Sequence, residues 1–126
     1  MQYMMLIYLA ETDFDARTNE KDEAFWGAWR AYFQAVVDAG AFVSGSPLQP
    51  VTTGSTVRLK NGTRHIQDGP YAETKEQLGG FVILELPSLD AALDWAARCP
   101  AAATGAVEVR PLAPMHAPLV DVLHVW

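Results

Sequence analysis

Cysteine is almost missing from this chain of 126 residues: Cys99 is the single one. One thiol excludes an intrachain disulfide and any zinc site built on a cysteine cluster. Cations are scarce too, with 9 Lys and Arg against 15 Asp and Glu and a formal net charge of -6. A general nucleic-acid binder displaces counterions with a basic face, and this balance argues against one. No Gly-x-Gly-x-x-Gly or Walker pattern occurs, so no phosphate loop is expected. The opening MQYMMLIYL has no Lys or Arg before it, and acids follow directly. It falls short of the roughly 20 apolar residues of a membrane span and lacks the basic region of a signal peptide. A cytoplasmic chain that meets no membrane is the expectation.

What is present is apolar. Hydrophobic residues make up 50% of the chain and charged residues 19%, a composition that argues for a folded core. Surface scaling for this mass predicts roughly 6,600 Å² exposed after folding, about a third of the extended chain. A single domain over residues 1–126 is expected, with 113–126 as a C-terminal tail.

Gln2 to Ala10 reads as a strand, apolar on both faces. The acidic stretch 11–23 reads as a loop entering a helix, with Asn19 as its N-cap. That helix runs to about Ala39, with Phe25, Trp29, Tyr32, Phe33 and Val36 in one stripe facing a sheet, and Gly40 ends it. Ala41–Ser44 reads as a short strand and GSPLQPVTTGST as a loop. In TVRLK-NG-TRHIQ, Asn-Gly between two strand-like runs predicts a two-residue hairpin pairing Lys60 with Thr63, Arg58 with His65 and Val57 with Ile66. Arg58 and His65 then share a polar face, while Asp68 falls on the apolar face with Val57, Leu59 and Ile66. DGPYAETKEQLGG reads as a turn with one helical turn, and Phe81–Leu86 as a strand. Ser88 caps a second helix whose apolar side includes Leu89, Leu93 and Ala96, stopped by Pro100. Ala106–Leu112 is the last strand, with Val107 and Val109 inward. The order predicts an α+β fold, helices on one face of a mainly antiparallel sheet, with a second copy of the chain covering the other face.

The segment DGPYAETKEQLGGF resembles the signature of the DGPF family, part of the YCII-related proteins. The likeness extends to the opening MQYMMLIYL, the SGSPLQP loop, the hairpin, FVILELP, DAALDWAARCP and VEVRPL. Tyr71 stands where that family usually has Phe. The resemblance implies a ferredoxin-like βαββαβ fold with an added hairpin, a sheet-to-sheet homodimer forming a dimeric α+β barrel, and a cleft between sheet and helices. Similar barrels include muconolactone isomerase and cofactor-free monooxygenases. Related proteins are credited with acid–base chemistry through a His–Asp pair, and DGPF members are often encoded beside extracytoplasmic-function sigma factors.

Asp68 is the first candidate for acid–base chemistry, because an apolar face would desolvate its carboxylate. Its structural alternative is capping of the Tyr71 N–H. His65 is either a neutral base beside Arg58 or an ordinary hairpin histidine. Strand alternation sends His65 and Asp68 to opposite faces, so they form no dyad within one chain without a bulge. Lys75 and Glu73 either reach the cleft or stay on the surface; His65 or Lys75 is the candidate for steadying developing charge. Tyr8, Trp29 and Tyr32, with Arg58 and Tyr71, are candidate ligand contacts, against the reading of the aromatic rings as plain core. His116 and His124 are too few for a metal site, no cofactor is expected, and Cys99 at a helix C-terminus is not expected to be a nucleophile. Two functions remain open, beside a third possibility that the fold is only a stable dimeric scaffold. One is a cofactor-independent enzyme acting on a small organic molecule, of isomerase, lyase or monooxygenase type. The other is a non-catalytic module that senses a ligand or binds a protein partner such as a sigma factor, through the acidic segment Glu11–Glu23.

Overall fold

Strand β1, Gln2–Ala10, alternates buried Tyr3, Met5, Ile7 and Leu9 with half-exposed Met4, Leu6 and Tyr8 in the computed structural model, which describes residues 1–72 and 74–123. A period of two on an apolar strand presents two apolar faces, and here one carries helices and the other does not. The strands that complete the main sheet are β2 (Phe42–Pro47), β5 (Glu76–Glu85) and β6 (Ala106–Pro111), in the order β2-β5-β1-β6 and antiparallel throughout. Strands β3 (Ser55–Lys60) and β4 (Thr63–Asp68) form a separate two-stranded hairpin. Helices α2 (Glu23–Asp38) and α3 (Leu89–Arg98) connect the sheet strands and bury Tyr32, Val36, Ala92 and Ala96 against the Tyr3–Leu9 face. This is the ferredoxin-like βαββαβ fold with a hairpin inserted between β2 and β5.

Local chemistry accounts for the elements. At the hairpin, Asn61 and Gly62 both have positive φ (51° and 77°), which matches the twist of the flanking strands. The pairing of Lys60 with Thr63, Arg58 with His65 and Val57 with Ile66 is as expected, and no register shift interrupts it. Gly40, at φ 69°, closes α2. Ser88 accepts the Ala91 N–H at 3.1 Å and opens α3.

Several elements depart from the sequence reading. The first half of the acidic stretch is a helix, α1 (Glu11–Arg17), with Glu11 and Asp13 in its first turn, Arg17 in its last and Phe14 buried as its anchor. The cap of α2 is Asp22, which accepts the Phe25 N–H at 3.0 Å, because Asn19 spends its side chain on the Lys21 N–H. β2 continues to Pro47, three residues beyond Ser44. The described residues between β4 and β5 form bends with no helical turn. β5 starts at Glu76, so Gly79 and Gly80 lie inside it, at a bulge opposite Ile7 and Tyr8. A Cβ on Gly79 would stand 2.5 Å from Leu9 Cδ1, so this side-chain-free position lets the strand pass close over the core. In α3 the buried side is Ala92 and Ala96, while Leu89 and Leu93 are each 48% exposed. Small residues bring that helix close to the sheet and turn the leucines outward. After Pro100 the short α4 (Ala101–Thr104) leads into β6, and the tail contributes a last helix, α5 (Ala117–Leu123), with no buried residue.

Candidate functional site

A cleft of about 640 Å³ lies between α2 and the β2–β5 side of the sheet. Small-molecule sites commonly fall in the range of roughly 300–1,000 Å³. From α2 come Phe25, Trp26, Trp29, Arg30, Phe33 and Val37. The floor is Ile7 and Leu9 of β1 with Gly45, Gly79 and Gly80, whose missing side chains let the neighbouring backbone and Leu9 pack close. The aromatic wall is ordered: Trp29 and Phe33 stack with centroids 5.7 Å apart at 22°, and Phe25 meets Trp26 edge-on at 5.1 Å.

Arg17 closes one end of the cleft. Its guanidinium donates to the Gly79 carbonyl at 2.9 Å and to the Leu48 carbonyl at 2.5 Å, and lies 4.9 Å from the Phe14 ring centre. These bonds tie α1 to the start of β5 and to the chain leaving β2. Burial pushes the guanidinium's ionisation down from its ordinary value, though arginine stays charged at any physiological pH. Among the described residues that line the cleft there is no carboxylate, imidazole or thiol. The walls can hold a planar apolar ring, and the charged groups that meet it are guanidinium groups.

Of the residues singled out from sequence, Trp29 lines this cleft. Tyr32 is buried beside it in the core, where its hydroxyl donates to the Trp95 carbonyl at 2.8 Å. Tyr8 points to the opposite face of the sheet and donates to Glu108 Oε1 at 3.2 Å. Partial burial, then the Glu108 charge, raises the Tyr8 phenol, while the Arg110 bond at 2.5 Å holds the Glu108 carboxyl below its usual range. His65, Asp68 and Arg58 are exposed on the hairpin, and the Arg58 guanidinium lies 5.1 Å from the Tyr71 ring centre. His65 pairs with Arg58 and Asp68 with Ser55, so the two candidates stay on opposite faces. The burial expected for Asp68 is not provided by this chain: Val57, Leu59 and Ile66 beside it are 58%, 73% and 55% exposed. Nor does its carboxylate bond to any described residue in the way a Tyr71 cap would require. Lys75 lines a second, shallower hollow with Val51, Thr52, Pro70, Thr74 and Gln77. Glu73 and His124 lie outside the described residues. Cys99 is buried at the end of α3, and burial pushes its thiol up to about 11, the opposite of an activated nucleophile. No group of three His, Cys, Asp or Glu stands close enough to hold a metal ion among the described residues.

The sequence reading missed Arg17, Arg30 and the Glu108–Arg110 pair. Trp26, Arg30 and Val37 stand at helical spacing with Phe33 of the aromatic stripe, so this row is readable in the sequence. Arg17 lies in the acidic stretch that reads from sequence as a loop.

Fold and cleft together define a ferredoxin-like α+β protein with an aromatic pocket under its first long helix. The sequence model of the YCII-related domain matches residues 1–116, and the chain belongs to the YCII-related family. It is 41% identical over 115 residues to an uncharacterized protein of Rhizobium meliloti (strain 1021), a match that spans 90% of this chain and 93% of that protein. Among solved structures it is similar to the 5-chloro-2-hydroxyhydroquinone dehydrochlorinase TftG of Burkholderia phenoliruptrix AC1100, solved with 2,5-dihydroxybenzoquinone. That likeness has a TM-score of 0.51 at 18% identity over 90% of this chain and 94% of the other. At this identity it is the fold that is shared. No helix among the described residues is long and apolar enough to cross a membrane.

Proposed function

We propose that this chain binds a small, mainly apolar, planar organic molecule in the cleft under α2. The observation that carries the reading is the cleft itself: about 640 Å³, walled by Phe25, Trp26, Trp29 and Phe33 over a floor that includes Ile7, Leu9 and three glycines. The similar fold solved with a six-membered ring compound supports it by analogy. Val37 lines the cleft and is 53% exposed, so Val37→Trp fills the space without disturbing the core. Native mass spectrometry on protein freshly purified from its own host should find a discrete small-molecule adduct on the wild type and none on Val37→Trp. An adduct equally present on both, or on neither, would count against this cleft as the site.

The same experiment reads the assembly. The folded chain exposes 8811 Å², about a third more than the roughly 6,600 Å² that scaling assigns to a globule of this mass. Met4 and Leu6 of β1 with Phe81 and Ile83 of β5 share the sheet face that carries no helix, and all four are half-exposed. A homodimer pairing this face with itself brings the surface back toward the expected value, since a standard interface covers about 800 Å² per partner.

A second reading, cofactor-independent acid–base catalysis, is favoured by Asp68. Its carboxylate ends β4 with no structural partner among the described residues, beside Gly69 at φ 101°. Asp68 would move the proton, with His65 or Lys75 steadying charge, once the hairpin segment is carried over a bound molecule. Equal turnover by Asp68→Asn and wild type would remove this reading and leave the binding one. A protein partner for the acidic segment is less well supported, because Asp22 is committed to capping α2 and Asp13 accepts a hydrogen bond from Thr104.

A further inference from the structure

We infer that the ligand of this cleft is an anion, an aromatic carboxylate or phenolate, with Arg30 as the residue that selects it. The inference rests on the small-molecule reading above and adds the charge of the ligand. Acids outnumber cations by 15 to 9 in this chain, yet the charged side chains that line the cleft are Arg17 and Arg30. Two cations against an aromatic wall, with no carboxylate among the described lining residues, form an unbalanced pair that an anion would neutralise.

The two guanidinium groups are not equivalent. Arg17 spends two of its N–H groups on the Gly79 and Leu48 carbonyls and serves as a brace, with three left over of the five an arginine carries. Arg30 is exposed at the rim and makes no ion pair with a described residue. It stands one helical turn from Trp26 and Phe33, so a ring lying against those side chains brings its substituents within reach of the guanidinium. The planar fork of donors matches a carboxylate in a bidentate way and a phenolate through single bonds. A hairpin from a second copy is a poor occupant, because it carries Arg58, Lys60 and Arg64 and would meet cations with cations.

The test compares an isosteric pair that differs in charge, 1-naphthoate and 1-naphthamide, by isothermal titration calorimetry with the full chain. Wild type should bind naphthoate about tenfold or more tighter than naphthamide, the worth of a charge-assisted hydrogen bond. Arg30→Gln, a change at an exposed helix position, should lose that preference, read as the ratio of the two affinities in the same variant. Arg30→Lys should keep part of it. Equal affinity of wild type for the two probes would overturn the anion inference and leave the cleft as a site for neutral rings. An anion preference unchanged in Arg30→Gln would overturn the assignment to Arg30. Binding of neither probe would overturn both this inference and the small-molecule reading beneath it.

Discussion

Tyr32 and Cys99 set the pH behaviour at the scale of single residues. Burial raises the ionisation of both, with the neighbouring Cys99 charge adding to the effect on Tyr32. The fold therefore holds each group neutral, the thiol until about 11. The unfolded chain ionises them near their ordinary values, about 10 for the tyrosine and 8.5 for the cysteine. As pH rises the unfolded state releases its protons first, so stability is intact below about pH 8.5 and falls as pH climbs above it. Guanidinium unfolding at a series of pH values checks this. Tyr32→Phe should flatten the upper part of the fall and cost about 1 kcal/mol at neutral pH through the lost bond to the Trp95 carbonyl. The Tyr8–Glu108–Arg110 cluster acts at the other end. Its depressed carboxyl adds stability that is present above the ordinary carboxylate range and is lost as pH drops through the folded value.

At the scale of elements, α2 forms the cleft wall and its start depends on one side chain. Asp22→Ala removes the acceptor for the Phe25 N–H at 3.0 Å and should destabilise the protein by about 1 kcal/mol in a denaturant melt. Phe25 and Trp26 follow that cap directly, so ligand affinity should fall with it. The opposite wall depends on a missing side chain. A Cβ on Gly45 would sit 2.7 Å from the Phe81 carbonyl oxygen, in the ladder that joins β2 to β5. Gly45→Ala should cost about 1–3 kcal/mol, the usual range for overpacking, and raise hydrogen exchange along β2. An unchanged melting curve would mean that β2 shifts freely, and then the cleft wall is not rigid.

At the scale of the whole molecule, the hairpin stands outside the sheet with apolar side chains facing solvent. Replacing Val57, Leu59 and Ile66 together by Thr should leave monomer stability within about 0.5 kcal/mol, because nothing described in this chain covers them. If assembly covers the arm, the same triple change weakens self-association, which sedimentation at several concentrations measures. Leu6→Glu places a charge on the uncovered sheet face and should abolish the proposed homodimer while the monomer stays folded.

Much of this architecture was legible in the chain because it depends on local periodicity and local turn chemistry. Alternation over Gln2–Ala10, the aromatic stripe of α2, the Asn61–Gly62 turn and the Ser88 cap each depend on neighbours a few residues away. Misread parts turned on distant contacts. Residues 11–17 look like a polar loop, and become a helix because Phe14 finds the core and Arg17 finds two carbonyls more than 30 residues away. Leu89 and Leu93 look like the inner side of α3, yet the tight approach of that helix favours Ala92 and Ala96. Fold class and family were thus determined by the sequence alone, since pattern and signature are properties of the chain in order. The candidate site was decided by tertiary structure, which left Asp68 and His65 on opposite faces of an exposed arm and assembled the cleft from α1, α2 and three strands. A pocket is a relation between segments that periodicity does not encode, and where two arginines meet the aromatic rings of α2 is fixed only when the sheet closes under the helix.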